Sequence, residues 1–109
     1  MPSQAFFHIS DLSEQRGKTG KRYLEFLRIP AMSAGVYVRP AGGIDPQKPH
    51  TEDELYYVAS GRARMRVGPE EREVSAGCLI FVAAGVEHHF YDIAEELAVL
   101  VFFAPAERS

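Results

Sequence analysis

Hydrophobic and polar positions alternate with a period of two along much of this chain, the pattern of strands that hold one face to a core and one to water. Tyr23 to Ile29 alternates, with Leu24 and Phe26 on one face and Tyr23, Glu25, Leu27 and Ile29 on the other, and Pro30 ends it. Val36 to Arg39 is the next strand, closed by Pro40-Ala41-Gly42-Gly43. Arg62, Arg64 and Arg66 alternate with Ala63, Met65 and Val67, which predicts one wet face and one dry face. Gly68-Pro69-Glu70-Glu71 is a turn, and Arg72 to Ser75 returns antiparallel to complete a hairpin. Leu79 to Val82 and Leu97 to Phe103 are apolar at successive positions, which predicts strands covered on both faces by a second sheet or another subunit. Phe6 to Ile9 predicts a further short strand.

The stretches between carry turn chemistry. Asp11 to Arg22 is polar, holds Gly17 and Gly20, and predicts a loop. Its GKTGK run falls short of a phosphate-binding loop, because Leu12 stands where that template needs glycine. Ile44 to Pro49 is a proline-bracketed connector that cannot be helical. No long helical period is present. Five to eight short strands with Gly and Pro between them predict an all-β sandwich or barrel. At 109 residues, with no repeat and no linker, the chain predicts one domain, 1–109, with its barrel core over about 22–104.

Composition narrows the partners. A net charge of −3, with both signs interspersed, speaks against nucleic acid or an anionic membrane. No apolar run approaches the ~20 residues of a membrane span. Cys78 is the one cysteine, so an internal disulfide is excluded, and a reducing compartment fits. The N-terminal stretch lacks the basic and apolar regions of a secretory leader. A soluble cytoplasmic protein is the expectation.

Candidate chemistry lies in two stretches, HTEDELYYVASG from His50 to Gly61 and GCLIFVAAGVEHHF from Gly77 to Phe90. Glu54 shares a strand face with Tyr56 and Val58, and a carboxylate beside a core valine is costly unless paired, protonated or bound to a metal. Of His88 and His89, one must point inward and the other outward. Singly, each residue has a plainer role: His88 as a hydrogen-bonded core histidine, Glu54 as a strand-end acid, Glu52 and Asp53 as solvated loop acids. Tyr56, Phe81 and Phe90 are most simply core.

Together the two stretches resemble the paired motifs of the cupin superfamily. The first motif runs G-x5-H-x-H, three or four residues, E, six residues, G. Glu54 and Gly61 fit its second half, and His50 falls on its second histidine. The second motif runs G-x5-P-x-G-x2-H-x3-N, and Gly77, Gly85 and His88 fit it in register. Lys48 stands at the first histidine, Gly43 is one residue out of place, Ala83 replaces the proline, and Asp92 replaces the asparagine. The resemblance implies a double-stranded β-helix, or jelly-roll β-barrel. It also implies one divalent metal ion (Fe, Mn, Ni or Zn) on His50, Glu54 and His88; Glu52 is a weaker fourth candidate by its proximity in the chain alone. Imidazole and carboxylate suit these ions, and three protein ligands leave positions open for chemistry.

A site of that kind needs apolar walls with few polar groups, and Tyr56, Met65, Phe81 and Phe90 are the candidates for substrate contact. Lys48 either holds the carboxylate of a substrate or is simply solvated. The implied function is a small metal-dependent enzyme, dioxygenase-like or isomerase/lyase-like, acting on a small polar organic molecule. The alternative is a non-catalytic module that binds metal or a small molecule. The doubly apolar Leu97–Phe103 strand, with Phe6 and Phe7 as further apolar surface, predicts a homodimer.

Overall fold

The computed structural model describes residues 4–108. The first three residues of the N-terminal stretch read for a leader, and Ser109 of the polar tail, lie outside the described residues. The element order is one helix, α1 (Ile9–Thr19), followed by β1 (Tyr23–Ile29), β2 (Met32–Arg39), β3 (Asp53–Val67), β4 (Glu70–Ser75), β5 (Leu79–Val82) and β6 (His88–Ala104). All pairings are antiparallel, in the order β1-β2-β6-β3-β4, with β5 added to β3. The all-β expectation holds.

The central feature is the ladder between the two long strands. It pairs Glu54 with Phe103 at one end and Val67 with His88 at the other. The thirteen steps from Glu54 to Val67 would extend roughly 43 Å as a straight strand at ~3.3 Å per step, more than the 38 Å longest dimension of the molecule. The ladder instead folds on itself. Its register breaks between Val58 and Ser60, Ser60 and Arg62, and Arg62 and Arg64, the kind of irregularity that bends a sheet. Gly61, at φ +96, lies at the centre of these breaks. A β-carbon there would collide with the backbone of Glu96 and Leu97, so only glycine permits the close approach.

One half of the folded ladder carries β5 and β2, and the other half carries β4. The core fills the space between them, with Tyr56, Val58, Met65, Phe90, Leu97, Val99, Val101 and Phe103 all buried. In β3 the inward set is Glu54, Tyr56, Val58, Ala63 and Met65. The clean Arg/apolar alternation read from Arg62 to Val67 is therefore the second half of one longer strand.

Three expectations are corrected. Asp11–Arg22 is not a loop, because α1 occupies most of it; it is capped by the His8 side chain, which accepts from Ser10 N–H, and closed by Gly20 in the left-handed region. Leu12 alone of this helix is buried, so it shows no 3.6-residue apolar period. Phe6–Ile9 is not a strand: Phe7 packs at a tilt against Phe26, ring centroids 5.0 Å apart, Phe6 is exposed, and Ile9 opens the helix. Leu79–Val82 is not covered on both faces, since Leu79 and Phe81 are 63% and 61% exposed.

Candidate metal centre

His50, Glu54 and His88 converge although their positions lie far apart in the strand register. Glu54 is the second residue of β3 and His88 opens β6, and the folded ladder lays one over the other. Two loop contacts fix the approach. Gly85 N–H donates to the His50 carbonyl at 2.7 Å, and Ala84 N–H donates to the Asp53 carboxylate at 2.8 Å. The β5–β6 turn is thereby tied to the connector that enters β3.

Glu54 Oε1 lies 3.3 Å from His50 Nδ1 and 3.1 Å from His88 Nε2. One ligand atom from each of the three residues fits within a 4.8 Å span. Glu54 and His88 are 2% and 3% exposed, and the His50 ring packs on Phe103 at 4.9 Å. His50 Nδ1, His88 Nε2 and both oxygens of Glu54 are buried and form no well-aligned hydrogen bond. These atoms are aimed at a shared point rather than along one another's bonds.

The opposite nitrogens show how that aim is set. His88 Nδ1 is 2.9 Å from the Val86 carbonyl, which can only accept, so Nδ1 carries the proton. His50 Nε2 is 3.2 Å from the Glu107 carboxylate, which likewise accepts. Each neutral imidazole then presents a lone pair to Glu54. Two lone pairs facing a carboxylate repel unless a proton or a cation lies between them. An outer acceptor that fixes the tautomer, with the inner nitrogen left free, is the usual support of a metal-bound histidine. The donor set therefore fits a divalent ion.

Without an ion the same cluster binds protons. Glu107 and then Glu54 raise the His50 imidazole against its burial, to about 10. Burial pushes His88 down, but Glu54 and the Val86 carbonyl outweigh it and the net shift is upward. Burial also pushes Glu54 up, but His50, His88 and Tyr56 together hold it down, to about 2.

Beside the cluster opens a cavity of about 200 Å³, lined by Arg22, Tyr23, Tyr37, Gln47, His50, Glu54 and Glu107 with Pro46, Val101 and Phe103. Of the wall candidates, Tyr56 is fully buried above the cluster, its ring 6.1 Å from that of His88 and its hydroxyl donating to Gln47 at 2.7 Å. Phe90 packs edge-on against Tyr56 at 5.2 Å and belongs to the core. Met65 lines a separate cavity with Val67, Val74, Cys78 and Ile80. Phe81 faces outward from β5. Lys48 is exposed, in a groove with His50 and Glu107. Glu52, read as a solvated acid, is 3% exposed and accepts from the Thr51 hydroxyl. It stands outside the three-residue cluster.

Sequence reading missed Glu107, Asp45, Gln47 and Tyr23. Asp45 is buried and accepts from the Tyr37 hydroxyl at 2.5 Å, from Gln47 at 2.8 Å and from Phe90 N–H at 2.8 Å. In the sequence it is one acid in a Gly/Pro connector, with nothing to mark it as buried. Glu107 lies in the polar stretch after Pro105, held by its N–H to the Ser33 hydroxyl at 2.9 Å and by its carbonyl, which accepts from Arg28 at 2.6 Å.

Comparison with known proteins agrees with this architecture. Residues 35–104 match the family described as "Cupin domain". An uncharacterised protein of Streptomyces coelicolor is 46% identical over 101 residues, spanning 93% of this chain and 96% of its own length. A structure from Thermus thermophilus superposes with a TM-score of 0.72 at 24% identity, covering 93% of this chain and 97% of that one. A DMSP lyase from Ruegeria pomeroyi superposes with a TM-score of 0.68 at 21% identity, over 80% of this chain and 49% of that one.

Proposed function

The chain belongs to the cupin family, and on that premise we propose that it is a divalent-metal-dependent enzyme acting on a small polar organic molecule. The observation that carries the reading is the set of buried, unpartnered atoms on His50, Glu54 and His88 aimed at one point. These three residues would hold the ion. Once bound, an ion with two nitrogen ligands and one carboxylate supplies Lewis acidity at its open positions.

The chain's own groups then set what can react. The cavity is below the ~300 Å³ usual for drug-sized ligands, and has room for about six or seven groups the size of water at ~30 Å³ each. Its wall places the Glu107 carboxylate and the Tyr23 hydroxyl beside His50 and Glu54, groups able to accept or donate a proton. Phe103 and Val101 keep one side of it apolar. This arrangement suits isomerase or lyase chemistry, in which a proton is moved next to a polarised oxygen. The lyase among the fold neighbours is in keeping with that class.

The second reading is oxygen-dependent cleavage, favoured by the two-His, one-carboxylate donor set that suits Fe(II). Metal analysis of protein purified without a histidine tag comes first. Fe(II)-loaded protein is then screened for oxygen uptake against small organic acids and polyols, and Mn-, Ni- and Zn-loaded protein is screened anaerobically for product. Turnover without oxygen supports the isomerase/lyase reading. Uptake coupled to product supports the second. Metal binding with neither leaves a non-catalytic binding module.

We further propose a homodimer formed on the outer face of β5, β3 and β6. Leu79 and Phe81, Leu55 and Tyr57 are exposed there, and Leu100 and Phe102 are half-buried beside them. Among the described residues α1 packs on β1 and β2, away from β5. A contiguous apolar patch on three strands is the feature expected of an association surface.

A further inference from the structure

Two tyrosines stand side by side where β1 meets β2, and they differ in one respect. Tyr23 and Tyr37 are ladder partners, and both line the cavity beside His50 and Glu54. The Tyr37 hydroxyl donates to buried Asp45. The Tyr23 hydroxyl is buried and has no hydrogen-bond partner among the described residues. Burial, then Glu107 and Glu25, push its pKa up, so it stays protonated and remains a donor. A buried hydroxyl without a partner is uncommon and calls for an explanation.

The backbone is shaped to hold that ring in place. Gly35 lies opposite Glu25 on β2, and a β-carbon at Gly35 would fall on the ring and hydroxyl of Tyr23. Gly35 is buried in a strand and has no positive φ, so no turn demands glycine there. A glycine at such a position marks close approach of another group, and that group is the Tyr23 phenol.

Charge says what the phenol faces. The charged residues lining the cavity are Arg22, Glu54 and Glu107, with His50 neutral in the ligand role. One positive and two negative side chains, with a divalent ion added, leave one net positive charge. A site with that balance takes an anion.

We infer that Tyr23 is the hydrogen-bond donor of a subsite for a small monocarboxylate, which places one oxygen on the Tyr23 hydroxyl and another toward the open side of His50, Glu54 and His88. The inference rests on the metal-site reading above and deepens it by naming the ligand class. Arg22, exposed at the mouth, adds attraction on entry. The cavity, at about 200 Å³, has room for acids of the size of glycolate or pyruvate.

The test uses the full-length chain loaded with zinc, its zinc content measured first. Acetate, glycolate and pyruvate, and the neutral amides of the same three acids, are titrated calorimetrically into wild type, Tyr23→Phe and Gly35→Ala. Wild type is expected to bind at least one acid, and its amide at least tenfold more weakly. Tyr23→Phe keeps its zinc and loses about tenfold or more in affinity for the acid, the scale of one hydrogen bond to a charged group. Gly35→Ala, which displaces the ring but keeps the hydroxyl, gives a loss in the same direction. Equal affinity of wild type and Tyr23→Phe for the acid, with zinc retained, overturns the inference and leaves the metal site standing. Failure of wild type to bind any of the acids overturns it as well. Failure of wild type to load zinc removes the metal-site reading, and the subsite with it.

Discussion

Gly61 lies directly against the Glu96 carbonyl, so close that a β-carbon at position 61 has no room. This contact is where the β3–β6 ladder turns back on itself, and it lies well away from the cluster it serves. Without that fold Glu54 and His88 would sit at opposite ends of a flat sheet. The six residues between Glu54 and Gly61 therefore measure the length of strand from the site to the hinge.

Gly61→Ala is expected to destabilise the protein by at least ~2 kcal/mol, from the positive φ and the backbone collision together. That corresponds to a drop in thermal midpoint of about 8 °C or more. Thermal denaturation checks it. Gly77→Ala is the comparison: it shares the positive φ but has open space around it, and should cost less.

Much of this was legible in the sequence. Period-two alternation located β1 and the second half of β3, and the two motifs drew attention to His50, Glu54 and His88. Asp92 explains one departure from the family pattern. It adopts φ 48, a left-handed conformation that Asn and Asp tolerate better than other side chains. What stayed hidden depends on contacts between distant segments. Glu107, Asp45 and Tyr23 carry no local periodicity that marks them for the site, and α1 buries only Leu12. Phe81 reads as a wall residue from its type, but the pleat turns it outward, because its ladder partner Leu55 also faces out.

Glu107→Ala is expected to weaken metal binding by about tenfold or more while the fold stays intact. The loss follows from removing the acceptor that orients His50 through its outer nitrogen. Competition against a chelator of known affinity gives the number, and circular dichroism confirms the fold.

The pH dependence follows from the shifts in the ion-free cluster. His50 is raised to about 10, so its protonated form stabilises the fold fully below its ordinary pKa of 6.5, and this contribution is lost as pH rises toward 10. Glu54 is lowered to about 2, so its contribution is present above 4.5 and is lost as pH falls toward 2. Metal-free protein should therefore be most stable between about pH 4.5 and 6.5. A bound ion replaces the imidazole protons. Apparent metal affinity should rise with pH across the range from 6.5 to 10, and the alkaline loss of stability should shrink in loaded protein. Thermal melts with and without metal, at stepped pH, read both effects.

Phe81→Glu and Leu79→Glu place a charge on the exposed apolar strip without touching the cluster. Wild type is expected to have a dimer mass by light scattering at micromolar concentration, and the variants a monomer mass with metal content unchanged. A monomer mass for wild type would rule the dimer out.

The central claim is that His50, Glu54 and His88 jointly hold a divalent ion, and metal content per chain tests it most directly. Tag-free wild type, His50→Ala, Glu54→Ala, His88→Ala and Lys48→Ala are loaded with the same ion, desalted and measured by elemental analysis, with folding checked in each. One ion per chain is expected in wild type and in Lys48→Ala, and a loss of nearly all of it in each of the other three. Wild type without bound metal, or full retention in a folded Glu54→Ala or His88→Ala, would contradict it.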